Sequence, residues 1–326
     1  MILRKACIYS TFIVLFSCGA LAAIKNGSGE FVFDYNLAGE LKKIPVYYYC
    51  PLNITPASRV VFVLHSNAQP AKSYRDEWKQ YAEKHDFLLL CPEFSKTQFK
   101  VWGQYNAGNV YDYDKKRYTR KEEWTFNIIE SLFDFAKKDR YLNAQAYCIF
   151  GQSSGAQFVH RMVLFMPEAR FSMAIANGAG DYTLPVFDRI FSEGLQNTSV
   201  TQESLAQSFN KDLIILVGEK DNVSHIKPRE ENYDPNDRFW RAKDFYQTAK
   251  QQSEKLQCQL KWRLLAVPDA NHNSPIFVMA ASKLAAKSRS YFTNPNVKDA
   301  NDSNYFDLPG DVNSTRLRSI SGKISR

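Results

Sequence analysis

Short, continuously apolar runs alternate with longer amphipathic stretches through most of this chain. "VVFVL" (60–64), "FLLLC" (87–91), "AYCIF" (146–150), "FSMAIAN" (171–177) and "LIILV" (213–217) carry almost no polar residue. A run of that length and kind is what a strand buried on both faces requires. Between them, "AKSYRDEWKQYAEKH" places Tyr74, Trp78, Tyr81, Ala82 and His85 at helical spacing. "EEWTFNIIESLFDFAKK" does the same with Trp124, Ile128, Leu132 and Phe135. Strands and helices in alternation build a mostly parallel sheet covered by helices on both faces. "FVFDY" (31–35) and "IPVYYY" (44–49), around the turn-prone "NLAGE", add an antiparallel edge. "LKWRLLAV" (260–267) supplies the last strand and "PIFVMAASKLAAKS" a closing helix, so the expected sheet has eight strands. A chain of 326 residues, 44% of them hydrophobic, can bury such a core in one domain.

The two ends read differently. Arg4 and Lys5, an apolar stretch from Ile8 to Phe16, and Ala20-x-Ala22 have the layout of a secretory signal peptide over 1–22. The apolar stretch is short for a bilayer span, and no later run is long enough to make one. "LFSC" also resembles a lipoprotein signal at Cys18, with Phe16 as its misfit; cleavage near Ala22 is favoured, giving a secreted or periplasmic protein. From about Thr293 the chain is rich in Asn, Asp and Ser and reads as a polar, poorly ordered tail over 293–326. This leaves 23–292 as the folded domain. The formal net charge is +8, with basic residues spread along the chain, so nucleic acid is not an expected partner. Cys50, Cys91, Cys148 and Cys258 form no C-x-x-C pair, and no metal site is expected. Export permits a disulfide among them, although Cys91 and Cys148 sit in strand-like runs where a buried thiol is expected.

The stretch that carries chemistry is "AYCIF–GQSSG–AQFVHRM", a strand, G-x-S-x-G, then a helix. A nucleophile held on so tight a turn takes a strained backbone conformation, and glycines on both sides, here Gly151 and Gly155, relieve the crowding. The turn leaves the Ser153 hydroxyl exposed at a helix N-terminus, where partial positive charge favours a developing anion. Such a serine needs a base and an orienting acid, in the order Ser, Asp or Glu, His. His272, in "VPDANHNSP" between the last strand and the last helix, fits the base better than His225 in "DNVSHIK". Asp221, just beyond the end of "LIILV", fits the acid, with Asp181 in "NGAGDYTLP" as its rival. Asp269 reads as a turn residue. The oxyanion donors fall to the backbone N–H groups of Ser154 and of Asn67 in "LHSNAQP", with His65 bracing that loop. Trp102, Tyr105, Tyr182 and Phe187 lie in loops at the same sheet edge. They either wall a substrate pocket or pack those loops onto the domain.

These residues together resemble the secreted α/β-hydrolases of the poly(3-hydroxybutyrate)-depolymerase-like esterase group. The resemblance spans roughly 30–290 and rests on "VLHSNAQ", "WKQYAEKHDFLLLCPEF", "YNAGNV", "GQSSGAQFVHRM", "ANGAGDYTLP", "LVGEKDN" and "NHNSP". In such proteins the stretch matching "LHSN" usually reads His-Gly followed by a donor residue; Ser66 takes the glycine's place here. The resemblance implies the α/β-hydrolase fold, ester hydrolysis through Ser153, Asp221 and His272, no cofactor, and a small-molecule or polymeric ester as partner. A serine peptidase on the same fold is one alternative. A catalytically silent hydrolase fold used as a binding module is another.

Overall fold

The computed structural model of the chain describes residues 24–68, 70–101, 103–221, 237–287, 305–307 and 316–319. The leader 1–22 with Cys18, the loop residue Trp102, and His225 lie outside the described residues.

The chain opens with the expected hairpin. Strands β1 (Gly27–Leu37) and β2 (Glu40–Cys50) pair antiparallel around Ala38 and Gly39, both at positive φ. The sequence placed these strands several residues too short. Alternation follows: β3 (Arg59–Leu64), helix α1 (Ala71–Lys84) and β4 (Phe87–Pro92). A long loop then carries a two-residue-per-strand hairpin, β5 (Tyr111–Asp112) and β6 (Arg117–Tyr118), before helix α2 (Asn127–Arg140). Next come β7 (Tyr147–Gln152), α3 (Ser154–Phe165), β8 (Phe171–Asn177), α4 (Gln202–Phe209), β9 (Leu213–Gly218), α5 (Arg238–Lys255), β10 (Arg263–Val267) and α6 (Ile276–Lys287).

The main sheet runs β1-β2-β4-β3-β7-β8-β9-β10, parallel from β4 through β10. Two short strands extend it beyond the eight expected. β12 (Arg316–Ser319) pairs antiparallel with β10, and β11 (Tyr305–Asp307) with β12. Both fall inside the segment read from composition as a polar tail. The physical reason lies in β10. It would otherwise end the sheet with an open row of N–H and C=O groups, which favours strand addition. The rest of the tail lies outside the described residues.

Each central strand feeds two cores. Val60, Phe62 and Leu64 of β3 join Ile128 and Leu132 of α2, Phe158 of α3 and Phe245 of α5 on one face. Val61 and Val63 join Tyr74 and Trp78 of α1 and Phe277 and Ala281 of α6 on the other. Burial on both faces is why these strands read as unbroken apolar runs. The last strand begins at Arg263 and not at Leu260, because the residues before it dock on α4: Lys261 N–H donates to Phe209 O (2.8 Å) and Trp262 Nε1 to Ser208 O (2.9 Å). Among the described residues Cys50, Cys91, Cys148 and Cys258 are free thiols. Burial pushes Cys91 up and Cys148 up to about 12, which keeps both protonated and inert. No helix among the described residues is long and apolar enough to cross a membrane.

Candidate active site

Ser153 follows β7 and stands at the N-cap of α3 with φ 55° and ψ −108°. A non-glycine residue at positive φ away from the left-handed helical well is strained. Neighbours hold it there: its N–H donates to Asn177 O (2.9 Å) and its carbonyl accepts from Gln157 N–H (3.0 Å). The flanking glycines are required by space. A Cβ on Gly151 would sit 2.2 Å from Gly155 O, and one on Gly155 would sit 2.4 Å from Leu64 O. The turn therefore presses α3 against the end of β3, whose loop contains Asn67. Ser153 is half-buried, Ser154 buried and Asn67 exposed. The first turn of α3 holds no acidic residue to cancel the positive end of the helix.

The loop after β3 is braced from below. His65 is buried; Phe94 N–H donates to its Nε2 (3.0 Å), which leaves Nδ1 to donate to Ser66 O (2.8 Å). Burial holds this imidazole below its ordinary pKa, against the opposing pull of Glu93. Ser66 Oγ accepts from Ala68 N–H (3.2 Å), and Ser66 N–H donates to Tyr74 Oη (3.2 Å). Bracing is the role expected of His65 from its position.

Beyond β9, Asp221 is 2% exposed. Its Oδ2 lies 2.8 Å from His272 Nδ1, and its Oδ1 accepts from Arg238 Nη1 at 2.9 Å. The turns carrying the pair are locked together. Lys220 N–H donates to Ala270 O (3.0 Å), and a Cβ on Gly218 would collide with that carbonyl at 2.1 Å. Lys220 and Asp269 pair at 2.7 Å on the outside, where Asp269, at φ 60°, is the turn residue the sequence suggested. Asp181 faces elsewhere, 3.6 Å from the buried Arg161 guanidinium.

Two residues that sequence reasoning passed over tie these parts together. Gln152, next to Ser153, donates from Nε2 to His272 O (3.0 Å) and accepts from Tyr74 Oη (3.3 Å). Gly178, at φ 57°, lies against the pair: a Cβ there would be 2.9 Å from Asp221 Oδ2 and 3.1 Å from His272 Nδ1. The dipeptide Asn177-Gly178 at the end of a strand was a visible turn signal. Nothing in the sequence marked Gln152.

The aromatic loops pack inward. Tyr105 is buried, stacks on Phe94 (centroids 4.7 Å, 11°) and donates from Oη to His65 O (2.6 Å). Tyr182 is 2% exposed and stacks on Phe245 (4.7 Å, 22°). Of the two readings left open for Tyr105 and Tyr182, these contacts favour packing: their rings fill core space under the loops. Phe187 is half-buried against the same core. Among the described residues no cluster of three or more His, Cys, Asp or Glu is placed to hold a metal.

No family model matches the chain, and no curated protein does. Solved structures do. Poly(aspartic acid) hydrolase-1 from Sphingomonas sp. KT-1 is 32% identical, with a TM-score of 0.75, over 80% of this chain and 99% of that one. LpqC, a poly(3-hydroxybutyrate) depolymerase from Bordetella parapertussis, is 26% identical with a TM-score of 0.72, over 79% and 90%. The chain belongs to the poly(3-hydroxybutyrate)-depolymerase-like esterase group. This hydrolase shares its α/β-hydrolase fold alone with an acetyl xylan esterase from Aspergillus awamori, at 14% identity and a TM-score of 0.51 over 80% and 100%.

Proposed function

We propose that this hydrolase is an exported serine esterase that works through an acyl-enzyme. The observation that carries the reading is the 2.8 Å hydrogen bond between His272 and the buried Asp221, joined through Gln152 and Gly178 to the strained turn that bears Ser153. With Nδ1 engaged by Asp221, the other ring nitrogen of His272 is the base. It takes the Ser153 hydroxyl proton as Oγ attacks the ester carbonyl. The N–H groups of Ser154 and Asn67 receive the oxyanion. Collapse breaks the ester C–O bond, and His272 returns the proton to the departing alcohol. Water, deprotonated by His272, then attacks the acyl-Ser153 carbonyl, and a second collapse frees the acid and restores Ser153. Asp221 orients His272 throughout.

Fluorophosphonate labelling of the purified protein, with site mapping, is the test. Label on Ser153, and its loss in Ser153→Ala, is expected, with ester turnover falling about 10⁴-fold or more and an unchanged melting curve. Residual activity near wild type would remove Ser153 from the mechanism. Asp221→Asn is expected to lose about 10⁴-fold in kcat; if Asp181→Asn does the damage instead, the acid assignment is wrong.

A second reading, amide hydrolysis at the same serine, is favoured by the similarity to a protein named for poly(aspartic acid), a polymer joined by amide bonds. Side-by-side assays on p-nitrophenyl esters, poly(3-hydroxybutyrate) and poly(aspartic acid) separate the two. Export rests on the leader over 1–22, and N-terminal sequencing of the secreted form is expected to begin at Ala23 or Ile24. An intact Met1 or a lipid on Cys18 would overturn it.

A further inference from the structure

The geometry points to Arg238 as a positioning residue that fixes the Asp221 carboxylate in the orientation His272 needs. The inference rests on the triad reading above. A carboxylate that is 2% exposed must have its charge and both oxygens met by the protein. Oδ2 is engaged by His272. That single bond leaves the carboxylate free to turn about its last side-chain torsion, and a turn would carry Oδ2 away from the imidazole. Arg238 Nη1 on Oδ1, at 2.9 Å, removes the freedom with a charge-assisted bond.

The clamp has a second grip. Arg238 is the first residue of α5, and its own N–H donates to the backbone carbonyl of Asp221 at 3.0 Å, followed by Phe239 N–H at 3.3 Å. One residue therefore holds Asp221 by main chain and side chain together. On the opposite side Gly178 closes the space, since a Cβ there would stand 2.9 Å from Oδ2. The carboxylate sits between an arginine it cannot leave and a backbone it cannot approach further. Arg238 acts through Asp221 and His272.

The test compares Arg238→Gln and Arg238→Lys with wild type on one p-nitrophenyl ester, with Ser153→Ala alongside. A loosened carboxylate disturbs the transition state and not ground-state binding. For Arg238→Gln, kcat is expected to fall about 10–100-fold with KM within about twofold. Arg238→Lys keeps the charge and one donor but not the planar fork, so its kcat is expected between the two. In proton NMR, the downfield resonance of the His272 Nδ1 proton bridged to Asp221 is expected to broaden or vanish in Arg238→Gln and to persist in Arg238→Lys. A folded Arg238→Gln with wild-type kcat overturns the inference, as does a kcat loss with that resonance unchanged. If Arg238→Gln does not fold, Arg238→Lys decides: a kcat reduced about threefold or more at unchanged KM supports the role, and wild-type kcat overturns it. Ser153→Ala keeps the two readings apart. Activity that survives it removes the triad itself. Activity that it abolishes, beside Arg238 variants equal to wild type, removes Arg238 alone.

Discussion

Gly178 has no functional group, yet it sets the spacing of Asp221 and His272. Its φ of 57° is costly for a residue with a Cβ, by about 1–2 kcal/mol. The added carbon would also press on Asp221 Oδ2 and His272 Nδ1. Gly178→Ala is therefore expected to lower kcat about 10–100-fold while the protein still folds, because relieving the contact displaces the pair by a fraction of an ångström. Steady-state kinetics with a melting curve check this, and a wild-type kcat would show that the pair tolerates the shift. Gly151 and Gly155 are different. Their Cβ atoms would meet backbone at 2.2 and 2.4 Å, so alanine at either is expected to abolish folding and not merely activity. Ser153, Asp221 and His272 were legible as candidates because each stands beyond a strand end, in the order that the proposed chemistry demands. Gln152 and Arg238 were not, since their roles depend on which way a side chain turns across the sheet edge.

At the scale of elements, the loop between β4 and α2 is ordered by Glu123. Its carboxylate accepts from Arg117 Nη2 (3.0 Å) and Arg120 N–H (2.9 Å), and the Arg117 bond, with that N–H, lowers its pKa from 4.5 to about 2. A depressed carboxylate stabilises the fold fully above its unfolded value and loses that contribution as pH falls through the folded one. Wild-type melting temperature is thus expected to fall between about pH 4.5 and 2 more steeply than that of Glu123→Gln. Parallel acid curves for the two proteins would sink the idea. Tyr182 tests the loop after β8. Tyr182→Ala is expected to cost about 3–5 kcal/mol of stability, seen by denaturant unfolding, with KM for small esters unchanged where the variant folds. A large KM effect at full stability would return Tyr182 to the pocket wall. The element order was legible because burial on both faces writes a continuous apolar run. The fate of the loop aromatics was not, because an aromatic count carries no direction. Tyr105 shows why: its hydroxyl found the His65 carbonyl inside the domain.

Across the whole molecule, the start of the described chain is fastened to the far side of the domain. Ile24 is 1% exposed, its N–H donates to Asp139 Oδ2 (2.8 Å), and Arg140 Nη1 donates to its carbonyl (3.0 Å). Ile24→Ala is expected to cost about 2 kcal/mol, read as a lower melting temperature; no change would mean the first strand is held by its pairing alone. Gly155 has the wider consequence. Because a Cβ there would strike the Leu64 carbonyl at 2.4 Å, the serine turn and the end of β3 cannot be moved separately. Anyone redesigning this scaffold for a bulkier polymer inherits a frozen floor. Room must come from the roof, the loops after β4 and β8. Transplanting the turn into another hydrolase would require carrying the end of β3 with it.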